Sequence, residues 1–464
     1  MASASGAYQF DRSCVRSPVV WLLVGWHEDP YGHERFRASW DRAIRRGEVL
    51  TTWDHSLRVA IEKRNNLRAQ VRRSERLHNV SLTPALKLAH EASEELATKE
   101  LDRFLDEVRG QVQSRLEADV HWTLTEGRPF AGKRTWQTDR KRNAASYFEE
   151  RIAERALRSS FDISSPSRAH VSDALKTVLT DGSPKFVYRT DIRSCFESIP
   201  HAALIGMLES NRELPRRVVK QVRNLLSDYS AIVGTATGLP RGVGVSSVLA
   251  EVYLSALDRQ IEEQLTPAFW CRYVDDIVVV ASVERGEETS KVIRSAVKGL
   301  SLALNASKTV SFDSGTPRTF TFLGYRYSWH SNALLVELSS KRWKRMRLRM
   351  ERAFDAYSSS ASPARSDLLM KRIRFLARNV RLSNNKRNAL TGIYFSNSQL
   401  DSPLRQLQTL DRSLRALTKQ HVSEQSIRQL LDEESFEAGF ARKRFLVLTP
   451  EEMTRVTAIW IDVE

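Results

Sequence analysis

Hydrophobic and polar positions follow a strand period in some stretches of this chain and a helix period in others. Phe186-Val187-Tyr188-Arg189-Thr190-Asp191 and Phe269-Trp270-Cys271-Arg272-Tyr273-Val274 are rich in aromatic and β-branched residues, and Ile277-Val278-Val279-Val280 is wholly β-branched. Such runs predict strands. Only Asp275-Asp276 separates the last two, so a hairpin is predicted with both acids at its turn. Between Leu82 and Leu116 the spacing of Leu86, Leu88, Leu96, Leu101, Leu105 and Val108 predicts helix. Val248, Leu249, Val252, Leu254 and Leu257 do the same for Val248 to Asp258, with Ser246 or Ser247 as its cap. Tyr147 to Leu157 reads as helix and Ser164-Ser165-Pro166-Ser167 as a linker. From Lys341 the pattern is mostly helical, broken at Ser358-Ser359-Ser360-Ala361-Ser362-Pro363 and Ser402-Pro403. No repeat period is visible.

Charge narrows the class of partner. The 464 residues carry 72 lysines and arginines against 56 aspartates and glutamates, a net charge of +16. A surface of that sign attracts phosphate and releases counterions, as a nucleic-acid enzyme requires. Basic clusters occur at Lys63-Arg64, Arg72-Arg73, Lys133-Arg134, Arg140-Lys141-Arg142 and Lys341 to Arg349. Taken singly, such runs are usually solvated faces. Cys14, Cys195 and Cys271 provide neither a disulfide framework nor zinc spacing, which fits a reducing, cytoplasmic setting. No apolar run is long enough to cross a membrane. Val19 to Trp26 lacks the cleavage pattern of a signal peptide.

The acids supply the candidate chemistry. Asp275-Asp276 also suits an ordinary turn, since aspartate bonds its own backbone there. Asp191, however, ends a second predicted strand. If both strands share a sheet, three carboxylates converge, a costly arrangement unless divalent cations neutralise it. Magnesium prefers oxygen ligands and takes one or two carboxylates plus substrate phosphates, with manganese the alternative. Two such ions about 3.5–4 Å apart activate an attacking hydroxyl and stabilise the leaving group in an in-line displacement. That is the chemistry of a polymerase.

In order along residues 185 to 330, several elements resemble reverse transcriptases, specifically the bacterial branches related to group II intron and retron enzymes. The Asp191 strand resembles the first palm motif, and Tyr273-Val274-Asp275-Asp276 the signature Tyr-x-Asp-Asp turn. Gly238-Leu239-Pro240-Arg241-Gly242-Val243-Gly244 with the helix after it is similar to the family's glycine-proline loop. Leu304-Asn305-Ala306-Ser307-Lys308-Thr309 resembles the later palm motif, and Phe322-Leu323-Gly324-Tyr325 the primer-grip hairpin. The resemblance implies an α+β right-hand polymerase with fingers, an antiparallel-sheet palm and a helical thumb. The corresponding segments are a mixed and helical basic region at 1–135, fingers at 136–185, palm at 186–338, and thumb with a C-terminal bundle at 339–464.

What the resemblance implies for the site follows residue by residue. Asp191, Asp275 and Asp276 would be the catalytic, metal-binding acids. Phe196 occupies the position of the bulky ring beneath the incoming sugar, where a clash excludes a ribose 2′-OH and favours deoxynucleotides. Lys308 would place a positive charge near the triphosphate, able to protonate departing pyrophosphate. Arg241 and Gly242 would lie at the nucleotide and template. Many relatives carry glutamine where Arg241 stands and asparagine where Glu251 stands. The Pro-Arg-Gly loop followed by Ala250-Glu251 resembles the phage-defence branch, which includes abortive-infection enzymes. An RNA template, a dedicated non-coding RNA, a DNA product, a protein hydroxyl as primer, and a partner protein or second copy all belong to the expectations. Plain structural roles stay open for Phe196, as a core ring, and for Lys308, as a solvated lysine.

Two rivals follow from the same residues. One is a palm with vestigial chemistry serving as an RNA-bound scaffold or as partner to another polymerase. The other is an RNA-dependent RNA polymerase. Arg415 and His421, like Arg72 and His78, also match the Arg-x₅-His spacing of helical toxin ribonucleases, a match expected by chance in so arginine-rich a chain.

Overall fold

The structure is a computed structural model that describes residues 33–45, 53–77, 81–130, 132–164, 166–313, 319–330, 333–358, 362–381 and 390–460. Cys14, Val19 to Trp26, His78 and the Ser359-Ser360-Ala361 break lie outside them. In chain order the elements begin with α1 (His33–Arg45), α2 (His55–Arg76), α3 (Thr83–Glu117), β1 (Leu124–Glu126), β2 (Trp136–Thr138), α4 (Ala144–Ser160) and α5 (Arg168–Thr180). Then come β3 (Phe186–Asp191), α6 (Cys195–Ser198), α7 (His201–Ser210), α8 (Arg216–Val233), α9 (Gly244–Gln264), β4 (Phe269–Tyr273), β5 (Asp276–Ala281), α10 (Gly286–Gly299) and β6 (Val310–Asp313). The remainder is β7 (Thr319–Phe322), β8 (Tyr325–His330), β9 (Ala333–Leu338), α11 (Ser340–Ser358), α12 (Pro363–Ala377), β10 (Asn379–Arg381), β11 (Leu390–Gly392), α13 (Arg405–His421), α14 (Gln425–Asp432), α15 (Phe436–Ala441), β12 (Phe445–Leu446) and α16 (Pro450–Thr457).

These elements form two compact units, each drawn from separate stretches of chain. Among the described residues, one comprises 166–193 and 257–460, and the other comprises 33–164 and 194–256.

The first unit holds a four-stranded sheet in the order β4-β5-β3-β6 and a three-stranded sheet β7-β8-β9. All pairings in both are antiparallel. Because successive side chains alternate between faces, Val187 on β3 and Val278 and Val280 on β5 share a face with Phe269 and Cys271 of β4. That face packs with Val171, Leu175 and Leu179 of α5 and with the aromatic residues Phe320, Tyr327 and Trp329 of the second sheet. Ile277 and Val279 on the opposite face are also fully buried, which explains a continuous rather than alternating apolar run. A separate core, built on Met350, Phe354, Ile373, Leu410, Leu414 and Phe436, joins α11, α12, α13 and α15.

In the second unit α2 and α3 are long consecutive helices, and α3 buries Ala97, Leu101, Phe104, Leu105, Val108 and Val112 along one stripe. Leu88 and Leu96, expected on that stripe, face solvent. They lie before and beside the stretch that packs against Phe36, Trp40 and Phe148. No described helix is long and apolar enough to cross a membrane.

Candidate active site

The predicted hairpin forms, but its turn is one residue earlier than expected: β4 and β5 pair antiparallel with Tyr273 opposite Asp276, so Val274 and Asp275 make the turn and Asp276 opens β5. Val274 has φ of 61°. A β-branched residue in this left-handed region is strained, because Cβ crowds the following carbonyl. Arg272 holds the strained turn in place. Its Nη1 donates to the Val274 carbonyl at 2.9 Å, while Nε and Nη2 form a two-pronged pair with Asp258 of α9, each at 2.7 Å.

The register of β3 against β5 sets Asp191 directly opposite Asp276. Ile192 N donates to the Asp275 carbonyl at 3.0 Å, tying the end of β3 to the turn. Asp191, Asp275 and Asp276 therefore converge in one sheet. Burial pushes the Asp276 carboxyl up, Arg189 opposes this, and the neighbouring charges of Asp275 and Asp191 add to the rise.

The charges around these acids are arranged by residues that sequence reasoning only partly identified. Arg189, two residues before Asp191 and therefore on its face of β3, is buried and donates from Nη2 to Asp276 Oδ1 at 2.5 Å. Its Nη1 donates to the Lys308 carbonyl at 2.9 Å. Lys308 in turn pairs its ammonium with Asp191 Oδ2. Asp191 Oδ1 is buried with no hydrogen-bond partner. Sequence analysis missed Arg189, yet a signal was present: an arginine inside an apolar strand must be paired when buried.

An orphaned, buried carboxylate oxygen beside a second acid fits a hard cation that takes one or two protein carboxylates and completes its shell with water and substrate oxygens. No group of three or more histidine, cysteine, aspartate or glutamate side chains forms a ready cage among the described residues. Asp276 has one oxygen committed to the buried Arg189 and Asp191 has one on the exposed Lys308, so each keeps a second oxygen for such a cation.

Beside the sheet, the Phe322 to Tyr325 turn joins β7 to β8, with Leu323 and Gly324 at φ of 48° and 80°. Arg168 Nε donates to the Leu323 carbonyl at 2.8 Å, and the guanidinium groups of Arg168 and Arg342 lie 5.5 and 5.7 Å from the Tyr325 ring centroid. This makes the turn cationic.

Phe196, Arg241 and Gly242 belong to the second unit. Phe196 lies in the short helix α6 and is half-buried, with the Arg241 guanidinium 4.8 Å from its ring centroid. Arg241 also pairs with Glu197 at 3.0 Å. Gly242 has φ of 100°, and a Cβ there would come within 2.6 Å of the Trp136 carbonyl, so only glycine fits. Helix α9 begins at Gly244, earlier than expected. Ser246 and Ser247 lie inside its first turn, their hydroxyls donating to the Pro240 and Gly244 carbonyls rather than capping from outside. Cys271 is on β4 and Cys195 opens α6, and both are buried. Arg415 and His421 share α13 but serve structural contacts, Arg415 with the Asp411 carbonyl one turn back and His421 with Ser358 at the end of α11.

Residues 146–327 match the family model described as reverse transcriptase (RNA-dependent DNA polymerase). The chain thus carries a reverse transcriptase domain, and its helices and antiparallel sheets form a right-hand polymerase fold. A stretch of 76 residues is 37% identical to an uncharacterized 91 kDa protein in the cob intron of Schizosaccharomyces pombe, covering 16% of this chain and 9% of that protein. Among solved structures, apo telomerase from Candida tropicalis superposes with a TM-score of 0.38 at 13% identity, over 70% of this chain and 62% of that one. Telomerase from Candida albicans, in complex with a fragment of telomeric RNA, gives 0.34 at 12% identity, over 73% and 61%. The chain spans about three-fifths of these telomerase chains and under a tenth of the intron protein.

Proposed function

We propose that this protein is an RNA-directed DNA polymerase that extends a primer 3′-OH, or a protein hydroxyl, with deoxynucleotides. The observation that carries the reading is the convergence of Asp191, whose Oδ1 is buried and unpartnered, with Asp276 opposite it and Asp275 in the adjoining turn. In the reaction the hydroxyl oxygen bonds to the α-phosphorus, the bond from that phosphorus to the bridging oxygen breaks, and pyrophosphate leaves. Asp191 and Asp275 would hold two magnesium ions, with Asp276 assisting from its place beside Arg189. The chemistry such ions would supply when bound is a lowered pKa for the attacking hydroxyl and neutralisation of charge on the leaving group. Lys308, exposed on one side and paired with Asp191 on the other, is set to follow the triphosphate and protonate the leaving oxygen. Phe196 would exclude ribonucleotides, and the cationic turn at Tyr325 would hold the primer strand.

The Pro240-Arg241-Gly242 loop with Ala250-Glu251 supports a bacterial antiphage setting, working in the cytoplasm on a dedicated RNA. A second setting is favoured by the similarity to a protein in the cob intron: an enzyme encoded within an intron. Purified protein with retained RNA, magnesium and labelled nucleotides tests the chemistry. Asp275→Ala with Asp276→Ala should abolish incorporation while the protein stays folded, and full activity in that variant would overturn the proposal. Sequencing the nucleic acid that co-purifies with each protein distinguishes the settings.

A further inference from the structure

The ring of Phe196 does not stand alone. It projects from a helix of only four residues, entered through Ser194 at φ of 46°, and is half-buried. So short an element does little to fix a side chain. The Gly238 to Gly242 loop compensates: Leu239 N donates to the Phe196 carbonyl at 2.7 Å, and Gly238 N to the Ile199 carbonyl at 2.8 Å. This brings Arg241 over the ring, its guanidinium carbon 4.8 Å from the centroid.

Arg241 is itself held from both sides. Its carbonyl accepts from Trp136 N at 2.6 Å, anchoring the loop to β2. Its Nη2 donates at 3.0 Å to Glu197 Oε1, and the same oxygen accepts from Lys133 Nζ at 3.0 Å. Burial alone would raise the Glu197 carboxyl, but Lys133 and Arg241 outweigh it and hold it below its usual range. A planar guanidinium can stack by its face while donating from its edge; neither lysine nor glutamine does both.

We propose that Arg241 is a specificity-determining residue, which seats the Phe196 ring through the Glu197 and Lys133 anchor and so sets how strictly ribonucleotides are excluded. The inference rests on the reading of Phe196 as the sugar gate. It assigns Arg241 to nucleotide selection through the ring, in addition to any contact it makes with a template. Loss of the anchor then loosens the gate without removing it.

Single-nucleotide incorporation by the full chain on a primed RNA template tests this. The quantity read is kcat/KM for a deoxynucleotide divided by that for the matching ribonucleotide. Phe196→Ala should collapse the ratio. Arg241→Gln should lower it about three- to tenfold, the range expected from a lost cation–π contact, mainly by raising ribonucleotide use. Glu197→Gln, which leaves Arg241 intact, should move the ratio in the same direction, and Arg241→Lys should recover part of it. In the Phe196→Ala background Arg241→Gln should have no further effect. The inference is overturned if Phe196→Ala lowers the ratio while Arg241→Gln and Glu197→Gln keep the wild-type value, or if Arg241→Gln acts equally with and without the ring. A wild-type ratio in Phe196→Ala removes the gate reading, and this inference with it.

Discussion

Arg189 and Asp276 form an ion pair diagonally across β3 and β5, two strand positions from the register in which Asp191 faces Asp276. The pair divides the acids into two kinds. Asp276 is balanced by a buried guanidinium, whereas Asp191 pairs with the exposed Lys308 ammonium and keeps its second oxygen buried without a partner.

That division predicts unequal roles. Asp191→Asn and Asp275→Asn should abolish nucleotide incorporation and weaken manganese binding measured by titration without nucleotide. Asp276→Asn should retain measurable activity and most of the metal affinity. Arg189→Met should destabilise the fold by about 2–3 kcal/mol, because it leaves a partly buried carboxylate unpaired. Adding Asp276→Asn should restore part of this loss, a coupling read from a urea double-mutant cycle.

Strain at Val274 gives a second outcome. Left-handed backbone costs about 1–2 kcal/mol for an ordinary residue, partly offset by the extra entropy that glycine brings to the unfolded chain. Val274→Gly should therefore raise stability by up to about 1 kcal/mol. Incorporation should fall, since the strained turn fixes Asp275. Thermal unfolding and steady-state kinetics on the same preparation check both halves.

A pH dependence follows from Glu150, fully buried in α4. Burial pushes its carboxyl up to about 7, against the opposing pull of Arg140 and the hydroxyl of Thr138. The unfolded chain titrates near the ordinary value of 4.5, so the folded protein binds the extra proton between those two values. Stability is greatest below the ordinary carboxylate range and falls as pH rises through about 7. Glu150→Gln should remove this slope, on the order of 3 kcal/mol between pH 4.5 and pH 8. Urea unfolding at several pH values measures it.

The exposed lysines of α11 predict a salt effect. Lys341 and Lys344 face solvent. If each neutralises one backbone phosphate, replacing both with alanine should reduce the slope of log affinity against log salt by roughly 2. Affinity should drop similarly for different nucleic-acid sequences. Filter binding from low to moderate salt reads both.

Much of the sheet that carries the three acids was legible in the sequence. The runs around Asp275 and before Asp191 read as strands because they are short and rich in β-branched and aromatic residues, and the continuous Ile-Val-Val-Val segment suits a sheet covered on both faces. Their acids then had to emerge at strand ends. Helix stripes were less legible. Leu88 and Leu96 match the spacing of Leu101 and Leu105, yet only the latter meet a partner, and spacing does not reveal where a neighbouring helix stops.

Patterning and composition by themselves determined the strands, the hairpin, the order of the motifs and the surplus of positive charge, since these depend on local preferences and counting. Which charge neutralises which acid was decided only by tertiary structure. Arg189 reaches Asp276 because antiparallel register brings residues far apart in the chain onto one face, and Arg241 covers Phe196 because a glycine loop folds back beside a short helix. Partner choice among buried charges is set by distances of a few ångströms, and those exist only once the strands have paired.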